Sequence, residues 1–533
     1  MEIASLLGIL GFMLRFGYTV SGLLFLWWRK EYRWDRMMIH LRTKQGGTVV
    51  MGRTRIMLAI AAFAWFVLPY KPVTEILFSA GLCVLGITYV RRIRHWHLPP
   101  VSPKVIVLGA MLVLFIVWLA VRVPYPAVIG LTIADVLLFP FSALVVLGMT
   151  IPTRVYHMSI ISRAVRALSH HAPMTVIGIT GSYGKTSVKE YLASILSGSV
   201  VTLKTEASKN SPIGIAETIL RSLSSAHQAF IVEMGAYKRG EIGYMATMVK
   251  PEIGVLTAIN PQHQDLFGSI EVTMQAKYEL IQGLVGRKIA IVNLDDEKTR
   301  TMGTWAIRDG CQLWGWTTRG ALHAYKGIAG DHLFRASKIR TDIHGVEFDC
   351  TSGKTTEHVS SPVVGIHQAG NILAAIAASV AGGLTLEKAC AAASRIQAAH
   401  KVMEVIPGIQ GAVFVDDTFN NNPDAAGAAI AFLQGQKGKK ILVFQPMIEL
   451  GTYAERSHEE VGALAGAACD AILLTNDSYK EAFERGVRRV SRDVPVLVVS
   501  PVQAAAYIRG HIGKGDTVLF KGKDTEHTLN ILV

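Results

Sequence analysis

Apolar positions fall into two textures along this chain. Up to about residue 150 they form long, nearly unbroken runs, over 4–28, 56–70, 74–90, 105–121 and 126–150. The first, fourth and fifth runs approach the ~20 residues needed to cross the hydrocarbon core of a bilayer. The second and third are shorter and meet at "PYKP", which suits a tight hairpin. No small-residue cleavage site follows the first run, so it predicts an anchor rather than a removable signal.

From residue 172 the apolar runs shorten and alternate with helical stretches. "MTVIGIT", "SVVTLK", "AFIVEMG", "IGVLTAIN" and "KIAIVN" read as buried strands, separated by helix-like segments such as 187–197, 213–224 and 271–284. This alternation predicts a mostly parallel sheet wrapped by helices. Alternating polarity over about 320–360 predicts an antiparallel insertion, and two helices near 370–398 close the unit. A second alternation follows: "AVFVDD", "KILVFQP", "AILLTN", "VPVLVVS" and "DTVLFKG" as strands, with helices around 424–434, 457–468, 478–488 and 502–511. There is no internal repeat and no long low-complexity linker.

At 533 residues the chain exceeds what one core supports. We expect three parts: a helical membrane domain over 1–155, a central α/β domain over 165–400 and a C-terminal α/β domain over 401–533. Lys and Arg orient the first part. Arg29, Lys30, Arg33, Arg36, Arg42, Lys44, Arg53 and Arg55 lie between the first two runs, Arg91, Arg92, Arg94 and Lys104 after the third, and Arg154, Arg163 and Arg166 after the fifth. The positive-inside tendency then gives five crossings, an outside N-terminus, and catalytic domains on the cytoplasmic face of the cell membrane. Much of the net charge of +14 lies in these loops, which points to anionic membrane lipid as a partner and to no nucleic acid. The five cysteines show neither disulfide nor zinc spacing. Arg15 and Asp135 sit inside apolar runs, and Pro140 is placed to bend the fifth. They either pair with each other, lie near an interface, or mark an intramembrane site.

"VIGITGSYGKTSVKEY" carries the first chemistry. A strand runs into Gly181, Gly184, Lys185 and Thr186 and then into a helix. Glycines let backbone N–H groups close on phosphate oxygens, the helix N-terminus adds partial positive charge, Lys185 reaches outer phosphates, and the Thr186 hydroxyl suits Mg²⁺. Ile179 occupies the place of the usual first glycine. Glu233 ends a following strand, His263 lies on the loop after the next, and Lys277 on the helix beyond. Their order along successive strand ends gathers them at the carboxyl edge of one sheet, where ligands of such folds bind.

The ordered set "TGSYGKTSVKE", "VEMGAYKRGEI", "NPQHQDLFGS" with "AKYEL", "IVNLDDE", "GIHQAGNILAA", "DDTFNNNPDA", "MIELG" with His458 beyond it, and "VLFKG" resembles the motifs of the Mur ligases over about residues 172–525. Within that family it is most similar to ligases that add D-alanyl-D-alanine to a UDP-muramoyl tripeptide. The resemblance implies a P-loop central ligase domain and a Rossmann-like C-terminal domain. It further implies an ATP-dependent, ADP-forming amide ligase working through an acyl phosphate. Gly181, Ser182, Gly184, Lys185, Thr186 and Ser187 would hold ATP phosphates, with Thr186 and Glu233 on one Mg²⁺. His263 and Lys277 would serve a second Mg²⁺, Lys277 as a carbamate. Asn293, His367 and Asn371 would line the adenine pocket and Asp417 would reach the ribose. Asn420, Asn422 and Pro423 would shape the site for the incoming small-molecule amine, with Lys521 nearby, and Asn210 and Gly214 would lie near the acceptor carboxylate.

The chain departs from the family's pattern in places. Val402, beside Lys401, stands where an Arg is usual; Pro446 replaces a common Asp; and "KGKDTEHT" lacks the Ser-Arg that tends to follow Lys-Gly. These bear on the amine more than on ATP. The largest departure is the membrane part, which stands where such ligases carry a UDP-sugar domain. It leaves a UDP-linked acceptor held by the remaining domains, or an acceptor linked to lipid. Other readings are a membrane-bound poly-amino-acid synthase, a degenerate non-catalytic scaffold, and a transport ATPase. The last lacks a glycine-rich signature segment before a second carboxylate strand.

Overall fold

The computed structural model describes residues 2–41, 60, 67, 98–122, 127–206, 209–260, 267–319, 327–398, 400–448, 450–491 and 493–533. The expected crossings 56–70 and 74–90, apart from residues 60 and 67, and His263 lie outside the described residues. The chain divides into two compact units, Met1–Met158 and Ser159–Val533.

In the first unit, α1 spans Glu2–Arg29, α2 Trp34–Leu41 and α3 Pro103–Arg122, and α4 (Ala127–Ser169) starts there and ends past its boundary. Leu23, Trp27, Leu108, Leu112, Ala134 and Leu138 form its core. The Arg15 guanidinium forks onto Asp135, Nη2 to Oδ2 at 2.7 Å and Nε to Oδ1 at 3.3 Å, and both residues are buried. Of the readings open for these two charges, mutual pairing is the one observed. Trp27 Nε1 donates to Ser142 Oγ at 3.0 Å. The outer faces are also apolar: Leu114, Trp118 and Val121 on α3 and Leu144, Leu147 and Ile151 on α4 are exposed. A water-facing bundle carries charged and polar residues there. Among the described residues one helix, over Ile133–Ser169, is long and apolar enough to cross a bilayer. It continues through Pro140 and Pro152 and past the apolar run, so neither proline ends it.

The second unit holds two sheets. In the central domain β1 spans Thr175–Thr180, β2 Thr202–Lys204, β3 Ala229–Glu233, β4 Ile253–Leu256, β5 Ile289–Asn293, β6 Gln312–Thr317, β7 Leu333–Asp342, β8 Gly345–Ser352 and β9 Thr355–Ser361. They form a nine-stranded sheet in the order β2-β3-β1-β4-β5-β6-β7-β8-β9. Pairings are parallel as far as β7, and β7, β8 and β9 are antiparallel, the insertion expected from alternating polarity. The intervening helices are α5 (Lys185–Leu196), α6 (Pro212–Ser222), α7 (Glu241–Val249), α8 (Ile270–Gln282) and α9 (Glu297–Arg308), with α10 (Ile366–Ala381) and α11 (Leu386–Ala392) following β9. The parallel strands are apolar throughout because helices cover both faces. Ile177, Val255 and Ile291 pack with Val188, Leu192 and Ile372 on one side, and Val176, Phe230 and Val232 with Ile215, Met245 and Leu280 on the other.

The C-terminal domain has β10 (Glu404–Pro407), β11 (Val413–Asp417), α12 (Pro423–Gln434), β12 (Lys440–Phe444), α13 (Ala454–Ala468), β13 (Ala471–Leu474), α14 (Lys480–Val490), β14 (Val496–Val498), α15 (Pro501–His511), β15 (Thr517–Lys521) and α16 (Glu526–Leu532). Its six-stranded sheet runs β10-β11-β15-β12-β13-β14, parallel except at the β10 edge. Asp417 and Lys521 therefore end neighbouring strands on the same edge.

Candidate active site

The loop between β1 and α5 is shaped by two glycines. Gly181 has φ +153°, and a Cβ there would lie 2.0 Å from Thr257 Oγ1. Gly184 has φ +81°, and a Cβ there would meet Asn371 Oδ1 at 2.8 Å. Any side chain would be strained and would collide. Gly184 caps α5 without a side-chain hydrogen bond, so the helix's first N–H groups are left for an anion. Lys185 folds back over the loop, its Nζ donating to Gly181 O at 2.7 Å and Ser182 O at 3.1 Å. Burial pulls its pKa down, while Glu233 opposes the shift.

Glu233, at the end of β3, is the hub. Its Oε2 accepts from Thr186 Oγ1 at 3.0 Å and its Oε1 from Asn210 Nδ2 at 3.0 Å. Lys189, one turn beyond Lys185 and fully buried, lies 3.4 Å from the same carboxylate. Lys277 Nζ sits 5.9 Å from the Phe267 ring centroid. Burial, with the like charge of Lys185, pulls its pKa down to about 7 against the opposing Glu241, Glu233 and Glu279. Gly181, Ser182, Lys185, Asn210, Tyr237 and Lys277 share the lining of one small cavity of about 50 Å³. The Thr186 hydroxyl and Glu233 carboxylate are hard oxygen donors at one place, which fits Mg²⁺. Ser187 is buried on α5, and Gly214 lies in the first turn of α6, its N–H on Ser211 Oγ at 3.3 Å.

Other expected residues stand further along the same edge. Asn371 Nδ2 donates to Gln368 Oε1 at 2.8 Å beside the phosphate loop, and Asn293 Oδ1 accepts from Asp295 N at 2.9 Å at the end of β5. His367, at the start of α10, lines a separate cavity of about 750 Å³ together with Ile343, Val413 and Phe432. Burial and the nearby Lys521 charge lower its pKa to about 4, so the ring is neutral. In the C-terminal domain Lys521 Nζ donates to Asp417 Oδ2 at 2.6 Å and to Asn420 O at 2.9 Å. Asn422 Oδ1 caps α12 through Ala425 N at 3.0 Å. Lys401 pairs with Glu526 at 2.7 Å, so in this arrangement its charge is spent on α16.

Sequence reading passed over three residues of this neighbourhood. Lys189 follows Lys185 by four residues, the spacing that puts both on one helix face. Asn260 ends the "TAIN" strand segment, and Asp424 follows Pro423 in the first turn of α12; neither has a local signal, because their meeting joins two domains.

Comparison with known proteins agrees with this architecture. The Mur ligase middle domain matches residues 179–379, and the Mur ligase glutamate ligase domain residues 403–524. The chain is 32% identical over 328 residues to the UDP-N-acetylmuramoyl-tripeptide–D-alanyl-D-alanine ligase of Escherichia coli strain K12, spanning 61% of this chain and 70% of that protein. It superposes on the crystal structure of MurF from Acinetobacter baumannii with a TM-score of 0.63 at 27% identity, over 70% of this chain and 80% of that one. The MurF ligase of Thermotoga maritima, solved in complex with ADP, shares the fold with a TM-score of 0.62 at 24% identity, over 70% and 83% of the two chains. By its central and C-terminal domains, the chain belongs to the Mur ligases, a family of ATP-dependent enzymes that form amide bonds.

Proposed function

We propose that the enzyme joins D-alanyl-D-alanine to the carboxylate of a muramoyl tripeptide during peptidoglycan precursor synthesis. The observation that carries this reading is the shared cavity of Lys185, Asn210 and Lys277 beside Glu233, together with the likeness to ligases named for that reaction. An acceptor carboxylate oxygen attacks the γ-phosphorus of ATP, and ADP leaves with the bond's electron pair. The dipeptide amine then attacks the acyl phosphate carbonyl, the N–H proton passes to base, and phosphate departs. Lys185 swings from the Gly181 and Ser182 carbonyls onto the phosphates, so positioning and charge do the catalytic work. Thr186 and Glu233 would hold one Mg²⁺ and His263 with carbamylated Lys277 a second, each offsetting charge on the transferred phosphoryl group. Asn293, His367, Asn371 and Asp417 take the nucleoside, Asn210 and Gly214 the acceptor, and Asn420, Asn422 and Lys521 the amine.

We further propose that residues 1–155 form a multi-pass domain of the cell membrane, with the catalytic domains at 165–400 and 401–533 on the cytoplasmic side. Its support is the apolar outer face of α3 and α4. An acceptor carried on a polyprenyl lipid is then confined to one plane with the site, which raises its effective concentration. The test is ADP release by detergent-purified full-length protein given D-alanyl-D-alanine with UDP-muramoyl tripeptide, beside the same peptide on a polyprenyl carrier. Lys185→Ala serves as the control, with a loss of ~10²-fold or more expected. Turnover of the lipid-linked form alone supports an acceptor-binding membrane domain; equal turnover of the UDP form removes that role. Silence with both, or an active Lys185→Ala protein, overturns the ligase assignment for these substrates.

A further inference from the structure

Asn260 lies just after β4 and touches both domains of the second unit. Its backbone is tied to the phosphate loop, with Asn260 N donating to Ser182 Oγ at 3.1 Å and Ser182 Oγ in contact with Asn260 O at 3.3 Å. Its side chain reaches the C-terminal domain, where Nδ2 donates to Asp424 Oδ2 at 2.8 Å and Asn422 Oδ1 at 3.3 Å. Asn422 Oδ1 is also the cap of α12. Ser182, Asn260 and Asn422 are all buried, so water does not compete for these bonds. Asp424 faces the like charge of Asp296 as well as the cation of Lys298, and burial raises its pKa while Asn260 lowers it. Asp424 as a whole residue is exposed, so removing the amide would take a hydrogen-bond donor from that carboxylate and leave it facing Asp296.

We infer that Asn260 is a positioning residue that couples occupancy of the phosphate loop to the seating of the α12 N-terminus. This rests on the ligase reading above. A phosphate bound at the loop draws on Ser182. The movement passes through the two Ser182 contacts to Asn260, and through its amide to Asn422 and Asp424. With that link intact, nucleotide at the loop tightens the seating of α12, and the amine site is firmed at the same moment. With the link cut, α12 stays loose, and water reaches the acyl phosphate in place of the amine.

The test uses the full-length protein and three measurements: Mg·ADP binding, hydrogen exchange over 423–434 with and without Mg·ADP, and the ratio of ADP to amide formed. Wild type should show exchange slowed by nucleotide. Asn260→Ala should bind Mg·ADP with little change, lose that slowing, raise the KM for amine ~10-fold and release ADP without amide. Asn260→Asp, which sets a carboxylate against Asp424, should be at least as severe. Adding Asp424→Asn to it reverses donor and acceptor and should restore the slowing. Slowing that persists in Asn260→Ala with an unchanged amine KM overturns the inference, as does failure of the double variant to recover. If wild type does not bind Mg·ADP, the ligase reading itself fails, an outcome distinct from either.

Discussion

Lys277 shows how little of a residue's chemistry is written in its letter. Nothing in "AKYEL" distinguishes it from a solvated lysine. Its depressed pKa of about 7 comes from burial and from Lys185, which stands 92 positions earlier in the sequence and reaches it through the fold. At that pKa half the amines are neutral near pH 7, and the neutral amine is the form that adds CO₂. We therefore expect carbamate formation, followed by ¹³C NMR with labelled bicarbonate, to increase from about pH 6 to about pH 8. Lys277→Ala should lose activity and regain part of it with added short-chain carboxylic acids. The phosphate loop is the opposite case, because Gly181, Gly184 and Lys185 carry their geometry in their spacing and were legible at once.

Among elements, strands with continuous apolar runs and covered faces were legible, and interrupted ones were not. β6, "QLWGWT", was passed over because Gly315 and the two tryptophans break the aliphatic pattern, although Trp314 and Trp316 are buried. β10 is a four-residue antiparallel edge ending in Pro407, too short and irregular to register. Residues 445–448 have no secondary structure to hold them, and His458 on α13 braces them. His458 Nε2 accepts from Met447 N at 2.9 Å, Nδ1 donates to Ala454 O at 2.6 Å, and the ring stacks on Tyr479 at 4.4 Å. Protonation would destroy the first bond, and burial lowers the pKa below its ordinary 6.5. In the unfolded chain the ring binds its proton first as pH falls. The stability it contributes is therefore complete above pH 6.5 and declines as pH drops through the lower folded value. Thermal unfolding of wild type should shift to lower temperature on acidification below pH 6.5, and His458→Gln should flatten that dependence.

At the scale of the whole molecule, the division between apolar N-terminal helices and two α/β sheets was visible in composition alone, whereas the bonds from Asn260 to Asn422 and Asp424 required the folded chain. If the exposed apolar faces of α3 and α4 are lipid-facing, full-length protein should stay with membranes after alkaline carbonate extraction. Release into the supernatant would show that those faces are covered by protein. The Arg15–Asp135 pair also sets an order of events during synthesis. The partners are 120 residues apart, so at ~5–20 residues per second the arginine emerges roughly 6–24 s before its carboxylate exists. If α1 enters a membrane, then through that interval it carries a charge that lipid does not accept cheaply, and it would wait at the headgroups or in the company of the insertion machinery. The first helix to be made is thus among the last to be finished. Grafted alone onto another protein, it would make a poor anchor.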